Sequence, residues 1–547
     1  MNGAAQQVFK IGCGPDGSTA GTVEAMGFKA FNLARMARLG IAVPAAFVLG
    51  TRYCRDFLTG SGALGEELHG QVRACVRKLE DTCRLGLGSS RRPLLLSVRS
   101  GAPVSMPGMM DTVLNVGLCD STLPGLMRLT GNPRLAWDSY RRLVQGFAEV
   151  VQGVAPGMLE AAAREEIERS GAERLDQLDF RSLRSLTARF LDVYAEVVGT
   201  PFPQSPAEQL DAAIAAVFRS WNSDRAVAYR RTHRISDDVG TAVTVQRMVF
   251  GNSGGNSGAG VAFTRDPATG ENSLYLDFAF NAQGEDVVSG RTALEHGTDL
   301  ARRMPHVYEE LLGLKEQVER EFRDAQEIEF TVQDGRLFLL QARAAKRTGL
   351  AALRIAVEQL EEGLLCPEEA QRNLAEIDLA SLEIVDVAGT GGMTPLARGT
   401  AASIGVASGR IAMNPARAVE LAREGRRVLL VREDIATSDI VAIEAVEGIL
   451  TARGGRTSHA AVVARQLGKA CIVGCTELSI APGERDCSIA GHALHDGDLL
   501  CLDANTGAIF AGEQRVTRLR PTQLLERLGR YLPRATIDRA VTPRGRS

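Results

Sequence analysis

The chain has 547 residues, 45% of them hydrophobic and 24% charged, with a formal net charge of −3 and a pI near 6.3. That length predicts roughly two to four domains with sizeable cores, and the near-neutral charge excludes a general attraction to nucleic acid or an anionic membrane. The ten cysteines are scattered with no CxxC pair, which predicts reduced thiols and no disulfides; the N-terminus lacks the basic and apolar regions of a signal peptide, so a cytoplasmic location is expected.

Residues 1–110 mix short strands and helices, with a helical pattern around Ala30–Leu39 and a strand-like Pro93–Arg99. Lys29 opens the helix after Gly27, and Arg99 ends the strand beside Gly101. A cation placed so fits phosphate recognition and fits a surface ion pair equally. The irregular loop Val104–Thr112 follows; its methionines read as packing. Apolar residues at three- and four-residue spacing over about 120–235 predict a helical block inserted in, or capping, a mixed α/β domain.

Strand patterns return at Thr241–Phe250, Gly260–Thr264, Ser273–Phe280, Glu327–Val332 and Leu337–Gln341. The glycine-rich run Gly251–Gly260 lies between two of them, and reads either as a phosphate-wrapping loop or as a flexible hairpin. Period-two alternation puts Glu327 and Glu329 on one face of their strand, and Gln341 and Arg343 share a face of the next, across the turn Gln333–Arg336. A carboxylate and an amide oxygen suit Mg²⁺ and a guanidinium suits phosphate, while a solvated Glu–Arg pair accounts for the same residues.

From Lys346 the apolar stripe Leu350, Leu353, Val357, Leu360 and Leu364 predicts an amphipathic helix, and Pro367 with Glu368 and Glu369 starts a second. After the glycine-rich Ala388–Gly392, strands Val428–Arg432, Gly448–Ala452 and Ala470–Val473 alternate with helices Thr437–Val446 and His459–Leu467, as in an α/β layer. Cys471 and Cys475 read as core filling, and His492 and His495 beside Asp496 and Asp498 as turn residues rather than a metal site. Glu513–Ser547 is Arg-rich with one helical segment.

The run Gly454–Arg465 sets His459 at the mouth of a helix just after a glycine turn. Neutral imidazole is nucleophilic near pH 7, and a phosphoryl group upon it would face unpaired N–H groups and the positive end of the helix dipole. The plainer reading makes Thr457 or Ser458 an N-cap and His459 a turn residue.

Together, Lys29–Ala34, Ser97–Asp111, Phe202–Gln204, Val249–Pro267, Asn281–Asp286, Glu327–Arg343 and Gly454–Arg465 resemble the pyruvate phosphate dikinase family, in order, from Gly27 to Gly512. The resemblance implies an α/β multidomain fold: an ATP-grasp-like nucleotide domain (1–345, helical insertion about 120–235), a helical linker (346–392), a swivelling β/β/α phosphohistidine domain (393–512) and a tail (513–547). It implies His459 as carrier, Lys29, Arg99, Gly108, Gly260, Glu329, Gln341 and Arg343 around ATP, Glu327 nearby, and Mg²⁺ on Glu329 and Gln341. Thr457 occupies the place of a regulatory phosphorylation site in that family.

The chain departs from the family pattern at Pro103 (usually Arg), Ala259 (usually Thr) and Asp277 (often Glu), each removing or shortening a phosphate or metal contact. The family also continues into a (β/α)₈ barrel for pyruvate and phosphoenolpyruvate, whereas only Glu513–Ser547 follows the swivel-like block here. The expected function is therefore ATP- and phosphate-dependent phosphorylation of His459 through a pyrophosphoryl intermediate, with a separate barrel protein supplying the pyruvate step and a homodimer open to it. The alternative is a catalytically impaired nucleotide-binding paralogue with a regulatory or interaction role.

Overall fold

The computed structural model describes residues 7–13, 19–104, 106, 109–288, 295–389, 394–435, 439–456, 458–481, 483 and 485–533. They form two compact units, Met1–Ser257 with Thr331–Ala342 and Gly258–Phe330 with Arg343–Ser547. A mixed α/β, multidomain chain is what the sequence predicts.

The first unit is built on an antiparallel sheet in the order Val8–Ile11, Ala46–Leu49, Ala242–Arg247, Leu96–Gly101, Thr112–Val116. The six helices from Leu123–Thr130 to Asp224–Thr232 are inserted between the strands Thr112–Val116 and Ala242–Arg247, close to the expected span. Local signals bound them: Asn132, Asp179 and Ser205 accept N-cap bonds, and Gly131, Gly171 and Gly199 end helices in the left-handed region. Tyr140, Phe147, Tyr194 and Phe202 interlock in the core that joins helices and sheet.

In the second unit the strands Gln326–Gln333, Gly258–Phe263, Tyr275–Phe280 and Glu295–His296 lie side by side. The hairpin of Gln326–Gln333 with Arg336–Ala344 turns through Asp334 (φ 52°) and Gly335 (φ 77°), the pair of positive φ values that matches strand twist. Behind it, the fully buried Arg265 binds Glu319 at 3.0 Å and Glu358 at 3.2 Å. That ion-pair knot fastens the helix Gly349–Glu361 to the sheet.

An eight-stranded sheet follows, in the order Ala397–Arg398, Ala508–Ala511, Leu499–Asp503, Val406–Ala412, Val428–Arg432, Gly448–Thr451, Ala470–Val473, Thr400–Ala401. Its four central strands are parallel, joined by the helices Pro415–Arg423, Ile440–Ala445 and His459–Leu467, with apolar clusters on both faces. The strands Val428–Arg432 and Ala470–Val473 and the helix His459–Leu467 fall where the sequence puts them; residues 436–438 of the expected helix Thr437–Val446 lie outside the described residues.

Two features go beyond the expected linker and C-terminal segment. The linker holds not only the helices Gly349–Glu361 and Pro367–Asn373 but the strand Ile384–Val387, which pairs antiparallel with Val516–Leu519. Past that strand, the helix Thr522–Leu528 and the residues just after it bury Leu528 and Leu532 against Leu353, Val357 and Leu360, so residues 513–533 pack on the linker helix. Each ribbon strand is four residues long, too short to register as a period-two pattern.

Candidate active site

In the first unit, Gly27 takes φ 75°, and a Cβ there would sit 1.8 Å from the carbonyl oxygen of Gly101. Only glycine permits that approach. Phe28 N–H then donates to Ala102 O at 2.9 Å, so the helix Phe28–Arg38 begins against the end of the strand carrying Arg99. Asn32 Nδ2 donates to Ala342 O at 3.0 Å, tying the same helix to the strand of Gln341. Exposed Lys29, half-buried Arg99 and buried Gln341 are thereby gathered round one helix.

The glycine-rich loop is shorter than expected. Gly258 and Gly260 already belong to the strand Gly258–Phe263, and a Cβ on Gly260 would meet the Phe330 ring at 2.6 Å and Asp277 O at 2.8 Å. The remainder is tethered: Phe250 N–H donates to Gln333 Oε1 (3.0 Å), Gly335 N–H to Asn256 O (2.7 Å) and Asp334 N–H to Ser257 Oγ (2.9 Å). These bonds tie both ends of the loop to the Glu327 hairpin. Ala259 alternates with Val261 and Phe263 into an apolar cluster, so the methyl in place of the family's threonine fills core.

In the second unit, Glu327 is buried and forms an ion pair with Arg343. Burial disfavours the charged guanidinium, but the carboxylates of Glu327 and Glu329 outweigh it and hold the Arg343 pKa above the ordinary arginine value. Glu327 Oε2 and Arg343 Nε are buried with no hydrogen-bond partner among the described residues. Carboxylate oxygens of this kind are donors that a hard divalent cation takes.

The nine-residue helix His459–Leu467 starts at the carboxyl end of the central strand Gly448–Thr451, after Gly454 at φ 101°. Ser458 is its N-cap, accepting from Ala461 N–H, and Gly468 closes it in the left-handed region. The capping role foreseen for Thr457 or Ser458 falls to Ser458 and leaves His459 as the first helical residue. The expected sites Thr457 and Gly108 lie outside the described residues.

Two functional candidates escape the sequence reading. Arg465 is buried in the histidine helix with its guanidinium 5.5 Å from the Phe263 ring, and Arg456 stands 4.4 Å over Tyr275. Both aromatic residues belong to the sheet that pairs with the Glu327 strand. The available signal is Arg465 itself, a charge that directly follows the apolar stretch Ala460–Ala464. Elsewhere, His495 Nδ1 meets Asp486 at 2.8 Å on an exposed hairpin, and no cluster of three or more metal-ligating side chains occurs among the described residues.

A family model described as "Pyruvate phosphate dikinase, AMP/ATP-binding domain" matches residues 23–296, and one described as "PEP-utilising enzyme, mobile domain" matches 425–507. The chain is similar to "Pyruvate, phosphate dikinase" of Rhizobium meliloti (strain 1021), 41% identical over 99% of this chain and 61% of that protein. It is also similar to the protein of that name from Clostridium symbiosum (41%; 89% and 56%) and to "Pyruvate, phosphate dikinase 1, chloroplastic" of Arabidopsis thaliana (40%; 93% and 53%). It thus spans between 53% and 61% of the length of these relatives.

Proposed function

The chain belongs to the pyruvate phosphate dikinase family, and on that premise we propose that it is a phosphotransferase in which ATP and inorganic phosphate load a phosphoryl group onto His459. The observation that carries the reading is the placement of His459 as first residue of a capped helix at the carboxyl end of a parallel sheet, where ligands of α/β layers bind. N–H groups at that end favour an anion.

The proposal keeps the division into an ATP-grasp-like nucleotide domain (1–345), a linker (346–392), a swivelling phosphohistidine domain (393–512) and a C-terminal segment (513–547). Lys29, Arg99 and Arg343 neutralise the charge of the polyphosphate, with Gly108 and Gly260 beside it. Glu329 and Gln341 would hold Mg²⁺, which supplies further neutralisation of phosphate oxygens when bound. The His459 imidazole attacks the β-phosphorus, AMP leaves, and inorganic phosphate removes the terminal phosphoryl as pyrophosphate, leaving phosphohistidine.

The relatives' names point to pyruvate as the eventual acceptor. A barrel domain, in cis or in trans, is proposed to supply its site, and Thr457 is proposed as a site of regulatory phosphorylation. Ala259 gives the alternative of an impaired paralogue no support, because its methyl lies in apolar core.

The test is incubation with ATP labelled at the β position, Mg²⁺ and inorganic phosphate. Acid-labile, base-stable label on the protein is expected, and it should vanish in His459→Ala. Unlabelled wild-type protein, or label that survives His459→Ala, would sink the proposal.

A further inference from the structure

Two arginines beside the histidine helix lack the partner a buried cation ordinarily has. Arg465 is 2% exposed and donates from Nη1 to Ala402 O (2.9 Å) and Arg456 O (2.8 Å), while its Nε and Nη2 have no hydrogen-bond partner among the described residues. Arg456 Nε is likewise buried and unpartnered. Neither guanidinium makes an ion pair among the described residues. An uncompensated buried charge is strongly unfavourable, and orphaned donors of this sort mark a missing ion or a role in chemistry.

Their position is specific. Arg465 lies in the last turn of the nine-residue helix, but long helical side chains reach back toward the N-terminus. Its bond to Arg456 O, three residues before His459, fixes the guanidinium at that end. The stacking on Tyr275 and Phe263 turns both arginines toward the sheet of the Glu327–Arg343 pair. Glu327 is the carboxylate whose charge Arg465 feels most, with Asp266 and Asp277 behind it, yet burial dominates and depresses the pKa of Arg465.

We propose that Arg456 and Arg465 bind the inorganic phosphate co-substrate at the N-terminal end of the histidine helix. This rests on the reading of His459 as carrier. In the second step of that reading, an oxygen of inorganic phosphate bonds to the terminal phosphorus of the pyrophosphoryl group. The bond from that phosphorus to the bridging oxygen breaks, the electron pair stays with the bridging oxygen on phosphohistidine, the attacking phosphate's proton passes to solvent, and pyrophosphate leaves. Two anions must meet for that step, and cations not already neutralised by carboxylates are what it needs.

The test uses the full chain with β-labelled ATP and Mg²⁺, comparing wild type with Arg456→Gln and Arg465→Gln. Label acquired without inorganic phosphate reports loading, and the phosphate concentration giving half-maximal pyrophosphate release reports the proposed site. Arg456→Gln, the less buried change, should raise that concentration at least tenfold with loading within twofold of wild type; Arg465→Gln should do the same if its melting transition is retained. Unchanged phosphate dependence in Arg456→Gln, or loading that falls in parallel, would overturn the assignment. Absence of label in the wild type would overturn the carrier reading and this one with it, an outcome distinct from both.

Discussion

Gly27 lets the helix that carries Lys29 start against the end of the strand that carries Arg99. A methyl there collides with the Gly101 carbonyl at 1.8 Å in a backbone conformation that L residues rarely adopt. Gly27→Ala should destabilise the chain by about 2 kcal/mol or more, and should raise the ATP concentration for half-maximal labelling as the helix start moves off the strand; urea unfolding and an ATP titration read the two effects. At this scale the sequence was legible wherever a residue's type and local period define its job. Lys29 after a glycine, Glu327 and Glu329 on one strand face, and His459 at a helix mouth all stand as read. Arg465 was not, because whether a buried charge finds a counter-ion depends on Glu327, Asp266 and Asp277, which are distant in sequence.

Elements with strong punctuation came out cleanly. The histidine helix is bounded by Ser458 and Gly468, and the Glu327 hairpin by Asp334 and Gly335, so cap and turn chemistry alone fix their ends. The ribbon Ile384–Val387 with Val516–Leu519 joins segments about 130 residues apart in sequence and carries no local signal of its pairing. The same holds for the helix Thr522–Leu528, whose apolar residues look ordinary until Leu528 is seen buried against Leu353 and Leu360. Leu528→Ala should cost about 2–4 kcal/mol by cavity formation, measured by chemical denaturation, whereas a change in a dangling tail would cost nothing. Protease sensitivity within Gly349–Asn373 should rise with it.

For the whole molecule, binding and transfer are separable. A ligand that binds only the folded state stabilises it by about 2.7 kcal/mol at a hundredfold excess over Kd. ATP with Mg²⁺ should therefore raise the melting temperature of wild type and His459→Ala alike, while only wild type takes up β-label. Loss of the thermal shift in His459→Ala would place the histidine inside the nucleotide-binding determinants instead of beside them. The relatives cover the chain almost throughout, and the chain spans about six-tenths of the first of them.

The paired strands Ile384–Val387 and Val516–Leu519 carry a topological implication. The chain leaves for the histidine domain and comes back at directly opposed positions, Val387 facing Val516, whose Cα atoms in such a pair lie about 5 Å apart. The helices Gly349–Glu361 and Thr522–Leu528 pack on one another through residues outside that excursion. Replacing residues 388–515 by a two-residue Asn-Gly turn should leave a remainder that still unfolds cooperatively, and a histidine domain of different reach could be spliced onto the same two strands.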